Sequence, residues 1–101
     1  MNASASGMLG ILNRGKALVF GPGIEKSFPK AHLLLLAIDA SPRTQKELRL
    51  KAEAHHVPIY EVESKAILGE PLGRDELSAV LVLSKKGASS LLGKLQKGEH
   101  A

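Results

Sequence analysis

The sequence has no cysteine and no tryptophan, and its aromatic residues are Phe20, Phe28 and Tyr60 alone. Without cysteine there are no disulfides, no thiolate zinc sites and no cysteine nucleophile. So few aromatics leave the chain without the stacking surfaces on which RNA-recognition motifs and OB-folds spread single-stranded bases. Any nucleic acid held here must be held by shape, backbone amides and charge. Long apolar runs are missing as well. The longest, LLLLAI (Leu33 to Ile38), falls far short of the roughly 20 residues that span a bilayer. The N-terminal segment 1–13 lacks the charged start and long apolar stretch of a signal peptide. These absences predict a cytoplasmic protein of bacterial or archaeal style with no membrane partner.

What is present describes one domain. The chain has 101 residues, 44% of them hydrophobic and 24% charged, an ordinary globular balance. Folding at this length buries roughly two-thirds of the unfolded surface, enough for a core without staples. Fourteen Lys and Arg against ten Asp and Glu leave a net charge of +4, which favours polyanionic partners.

Apolar spacing predicts a first helix through Met8, Leu9, Ile11 and Leu12, capped by Ser4 or Ser6 and closed by Gly15 at C′. ALVF (Ala17 to Phe20) reads as a short strand. GPG then turns the chain, and Pro29 limits the helix beginning at Ile24 to one or two turns. AHLLLLAI, apolar throughout and polar at its borders, reads as a strand buried on both faces. Ser41 and Pro42 mark the N-cap and first turn of the next helix. Its inner face is Thr44, Leu48 and Ala52, and Arg43, Lys46, Arg49 and Lys51 form a solvated face. VPIYEV (Val57 to Val62) is a third strand containing Tyr60. Ser64 caps a short helix that stops at Gly69, EPLGRDEL is a loop, and SAVLVLS is a fourth strand. Ala88, Leu91, Leu92 and Leu95 mark a last helix. Strands alternating with helices predict an α/β fold, a three-layer α/β/α sandwich. The ends, 1–5 and 96–101, read as loose.

The chemistry-bearing residues argue against an enzyme. Gly21 and Gly23 have the first spacing of a dinucleotide motif, but Lys26 stands where its third glycine belongs, and no Walker loop is present. His55 and His56 are adjacent, so on a helix they diverge by about 100°, and His32 and His100 lie elsewhere. Glu61 with Glu63, and Asp75 with Glu76, lack a partnering nucleophile. No metal or cofactor is called for. Two features remain. One is the helix start after Gly23, whose amides attract anions, with Lys26 and Lys30 beside it. The other is VESKAILGEPLGRDEL, which combines Lys65 and Arg74 with apolar Leu72 and Leu77. In an alternating sandwich both fall at one end of the sheet and form a composite surface.

Three signatures occur in order: AIDAS (Ala37 to Ser41) after an apolar strand, VPIYEVESKAILG (Val57 to Gly69), and Gly73 ahead of the last strand. On these the chain resembles, over Gly7 to Leu95, the ribosomal-protein family typified by archaeal L7Ae and its relative L30e, especially small bacterial members of the YlxQ and YbxF type. The resemblance implies a mixed four-stranded sheet. It also implies binding to kink-turns, RNA helix–bulge–helix elements with tandem sheared G·A pairs. The second-helix start would dock at those pairs through Gly21, Gly23, Ile24, Lys26 and Ser27, with Lys30 nearby. The loop before the last strand, Leu72, Gly73, Arg74, Asp75, Glu76 and Leu77, would pack on flipped-out bulge nucleotides. Lys65 would lie near the RNA backbone and Asp39 at the neighbouring strand end. Against the family pattern G-[ST]-N-E-x-x-K, this chain has Gly23 at the Asn position, Ile24 at the Glu position and Lys26 one place early.

The expected function is therefore non-enzymatic binding of structured RNA, kink-turn or ribosomal, by a single-domain monomer, with the ribosome as a candidate partner. The alternative is a protein–protein adaptor on the same fold. Its mark would be Ile24, Phe28, Leu72 and Leu77 exposed together.

Overall fold

All five residues of strand β2 (Leu33–Ala37) are buried. A strand alternates its side chains between two faces, so complete burial requires packing on both sides. A computed structural model describes residues 1–99, with side chains through Gln96, and both packing layers are present. The sheet has the order β1-β4-β2-β3, with β1 at Leu18–Val19, β3 at Ile59–Val62 and β4 at Ala79–Val82. Strand β4 runs antiparallel to β1 and β2, and β3 runs parallel to β2. The sheet is mixed and four-stranded, as expected.

On one face Leu33, Leu35, Val80 and Val82 pack against three helices. These are α1 (Ala3–Arg14), α3 (Lys65–Gly69) and α4 (Lys85–Glu99), which contribute Leu9, Leu68 and Leu91. On the other face Leu34, Leu36 and Leu81 meet Leu48 and Ala52 of α2 (Pro42–Ala54). Ile24 and Phe28 complete that core from a 3₁₀-helix, Ile24–Lys30. A second 3₁₀ turn, Glu70–Leu72, occupies part of the stretch read as loop. No helix among the described residues is long and apolar enough to cross a membrane.

The starts of α2 and α3 follow their local chemistry. Ser41 Oγ accepts from Thr44 N at 3.2 Å, and Ser64 Oγ accepts from Ile67 N at 3.0 Å, each satisfying an otherwise unpaired first-turn amide. Helix α1 begins earlier than its serines suggest. Its cap is Asn2, whose Oδ1 accepts from Ala5 N at 2.8 Å, and Ala5 in the first turn is fully buried. Asn2 also donates to Lys94 O at 2.8 Å, and the Met1 ammonium lies 3.0 Å from Glu63. The left-handed residue that closes α1 is Lys16 at φ 59°, whereas Gly15 has φ −81°. Pro29 sits inside the 3₁₀-helix rather than ending it, since its fixed φ matches a 3₁₀ turn. Helix α4 continues through Glu99, across most of the tail; His100 and Ala101 lie outside the described residues.

Candidate functional site

Strand directions decide where the loops go. Because β1, β2 and β3 all run opposite to β4, the exits of the first three and the entry of the fourth share one end of the sheet. Gly21 and Gly23 follow β1, Asp39 follows β2, and Lys65 lies just after β3. Gly73, Arg74, Asp75, Glu76 and Leu77 lead into β4. Segments far apart in sequence thus converge, and the loop 73–77 joins them because β4 is antiparallel to its neighbours, where a wholly parallel sheet would have put it at the other end.

Specific contacts tie them together. Asp39 Oδ1 accepts from Lys65 N at 2.8 Å, joining the β2 exit to the start of α3. Leu77 N donates to Lys65 O and Arg74 N to Gly69 O, both at 3.0 Å. Lys65 Nζ stands 3.8 Å from Glu76 Oε1, with Lys65 half-buried and Glu76 exposed, a pair still open to water and worth at most about 1 kcal/mol. The Arg74 guanidinium lies 5.3 Å from the centroid of the Phe20 ring, which links the β4 entry to the β1 exit. Gly69 makes the close approach possible. A Cβ there would stand 2.8 Å from Arg74 O and 2.9 Å from Glu76 Cα. Its role extends beyond stopping α3.

Several expected contact residues have other positions. Ile24 and Leu72 are each only 9% exposed and Phe28 only 1%, while Leu77 is half-buried against the core. The apolar tip expected from Leu72 and Leu77 is folded inward, and the four-residue patch that would have marked an adaptor does not exist. Burial of these side chains completes the two cores, which outweighs leaving them at a loop tip. The exposed aliphatic at this end is Ile38, at 52%. The amides after Gly23 also differ from expectation. Ile24 N donates to Gly21 O at 3.3 Å and Lys26 N to Gly23 O at 3.1 Å, so both close the turn instead of facing an anion. Lys26 is exposed and Ser27 half-buried near this turn, but Lys30 precedes β2 and lies at the opposite end.

A cleft of about 270 Å³ separates the 3₁₀-helix, α2 and the entry to β4. Ile24, Leu48 and Ala79 line its apolar part, and Glu25, Glu47 and Glu76 line its polar part. Carboxylates there repel phosphate but accept hydrogen bonds from base amino groups. Among the described residues no group of three His, Asp or Glu is placed to hold a metal. Sequence reasoning missed Phe20, Ile38 and this cleft. Phe20 was legible as a rare aromatic directly before Gly21, but its Arg74 partner is set by tertiary structure.

A model of the ribosomal protein L7Ae/L30e/S12e/Gadd45 family matches residues 24–93. The chain belongs to this family. It is 34% identical over 91 residues to the RNA-binding protein YlxQ of Bacillus subtilis strain 168, a match covering 87% of this chain and 91% of that one. A solved structure of a Bacillus halodurans protein of unknown function superposes with a TM-score of 0.83 at 24% identity, covering 91% of this chain and 96% of that one. The Giardia lamblia 15.5 kD RNA-binding protein gives a TM-score of 0.74 at 20% identity, covering 96% and 92%. At those identities the two structures share the fold.

The L7Ae/L30e/S12e/Gadd45 model match begins at Ile24, so the Gly21–Gly23 turn lies outside it, while Asp39, Lys65 and the loop 73–77 lie within. The departure from the family pattern at Ile24 has a structural counterpart. A residue that the pattern makes a polar contact is here part of the second core.

Proposed function

We propose that this family member binds structured RNA without catalysing a reaction, and that the loop end of its sheet is the binding surface. The observation that carries this reading is the rim in which hydrogen bonds join Asp39, Lys65 and Leu77, and Arg74 to Gly69, while the Arg74 guanidinium lies against the Phe20 ring. A rim held this way is preorganised, which lowers the ordering cost of binding. It suits recognition by shape, with Arg74 presenting a planar guanidinium backed by an aromatic ring. Ile38 adds an apolar contact. Lys26 and Lys65 supply charge for backbone phosphate, which positions an RNA without reading its sequence.

The RNA class we propose is a kink-turn or a kinked element of ribosomal RNA. Its bases are opened to side chains, so carboxylates at Glu25 and Glu76 can accept from exposed amino edges. The binding species is a monomer. The test is a titration with a short kink-turn RNA and with a copy whose G·A pairs are changed to Watson–Crick pairs, each at two salt concentrations. Tenfold or greater preference for the intact kink-turn is the expected result. Equal affinities would remove the kink-turn reading, and no binding to either would remove the RNA function.

A further inference from the structure

The opposite end of the sheet carries a different charge. Three segments meet there: the turn between α1 and β1, the end of the 3₁₀-helix, and the junction of β4 with α4. Leu83 N donates to Ala17 O and His32 N donates to Val82 O, both at 2.8 Å, so backbone hydrogen bonds hold them side by side. Gly87 completes the fit, since a Cβ there would stand 2.7 Å from Leu12 Cδ2 of α1. Residues 14–17, 30–32 and 84–86 carry Arg14, Lys16, Lys30, Lys85 and Lys86, all exposed, and no carboxylate. None of these five cations is ion-paired among the described residues. The fourth segment at this end leads into β3 beside β2 and stacks His55 on Phe28 of the 3₁₀-helix; it carries Glu53 with His55 and His56, so the carboxylate-free cluster is the one the other three segments form. The loop end differs. There Lys65 faces Glu76, and Glu25, Asp39, Glu63 and Asp75 add further carboxylates.

Folding stability does not account for the cluster. Lys16 adopts φ 59°, a left-handed conformation that glycine takes without strain. Lys85 and Lys86 occupy the first turn of α4, which has no acidic residue, although the dipole at that position favours acids and disfavours cations. Both features work against folding, and both raise the positive potential at the same pole. Unpaired cations on firmly held backbone suit a ligand with repeated negative charge, and phosphate contact requires no base-reading geometry.

We propose that this pole is a second RNA-contacting surface, one that takes backbone phosphates while the loop end reads shape and base edges. The choice of RNA as the polyanion rests on the function proposed above.

The test uses the full chain with the kink-turn RNA and its G·A-altered copy, each carrying extended stems, titrated over a range of salt. One variant combines Lys30→Gln, Lys85→Gln and Lys86→Gln. A control of equal charge combines Lys46→Gln, Arg49→Gln and Lys94→Gln. Lys16→Gly is a third protein, expected to melt no lower than wild type while binding less tightly. The pole variant should weaken both RNAs alike, by about tenfold or more at low salt. Its slope of log affinity against log salt should be shallower by about two to three. The ratio between the two RNAs should stay the same, and the control should change little. If wild type shows its G·A preference and the pole variant binds with the same affinity and slope, the pole inference alone is overturned. An equal effect from the control would likewise overturn it by assigning the loss to net charge. If wild type binds no RNA, the proposed function fails first, and the RNA assignment of the pole fails with it, leaving an acidic protein as its counterpart.

Discussion

Gly69 and Gly93 show how unequal two glycines in helices can be. At Gly69 the space a methyl would need is occupied by the backbone of Arg74 and Glu76. Gly69→Ala should therefore lower stability by about 1–3 kcal/mol, as overpacking does, with thermal unfolding as the readout. At Gly93, inside α4, nothing lies within 4 Å of the built Cβ, so Gly93→Ala should stabilise by up to about 1 kcal/mol. If both substitutions shifted the melting temperature equally, the close approach at Gly69 would be ruled out. Phe20 belongs to the same scale. Phe20→Ala should reduce RNA affinity by about two- to fivefold through loss of the contact beneath the exposed Arg74 guanidinium, worth about 0.5–1 kcal/mol. Phe20→Tyr should restore it, and a double-mutant cycle with Arg74→Ala checks that the two act together.

At the scale of elements the informative piece is the 3₁₀-helix Ile24–Lys30. The sequence read it as an anion-binding helix start, because glycine, isoleucine and two lysines after a strand have that composition. In the structure it is a core element. Ile24 and Phe28 insert into the second core, and the first amides bond back to Gly21 and Gly23. Phe28→Ala should therefore cost about 3–5 kcal/mol in chemical denaturation. Lys26→Gln should leave stability within about 0.5 kcal/mol, as an exposed substitution does. If Phe28→Ala were as mild as Lys26→Gln, the segment would not be packed as described. Helix α3 and its 3₁₀ extension are the counterpart on the other face. The Lys65 amide donates to Asp39 Oδ1 and its carbonyl accepts from Leu77 N, so a short helix becomes the hub of the rim.

At the scale of the whole molecule the charge is polarised along the strand direction, carboxylate-rich at the loop end and cationic at the other. A net charge of +4 conceals this division, and only the strand order reveals it. The size also follows from the packing. The Cα radius of gyration is 12.2 Å, close to the roughly 13 Å of a folded chain near 100 residues. Solution scattering should return a monomer of that size. A radius consistent with twice the mass would remove the monomer from the proposal.

Much of the fold was legible because local chemistry and packing agree in it. The run Leu33–Ala37, apolar without alternation, fits a strand buried on both faces, Ser41–Pro42 fits a helix start, and Ser64 supplied the cap for α3. The sequence by itself therefore determined the α/β sandwich, the order of its elements and the family. It also determined that Asp39 and Arg74 lie in loops and Lys65 at the start of a short helix. Tertiary structure decided which side chains in those loops face solvent. Ile24 and Leu72 have the composition of contact residues, yet both cores need their volume, while Ile38 at the end of the apolar strand is left exposed. Tertiary structure also placed Lys30 away from Lys26, because the 3₁₀-helix runs from one end of the sheet to the other. Charge is additive in a sequence and positional in a fold. The cationic pole exists only because hydrogen bonds between Ala17 and Leu83, and between His32 and Val82, set three distant segments side by side.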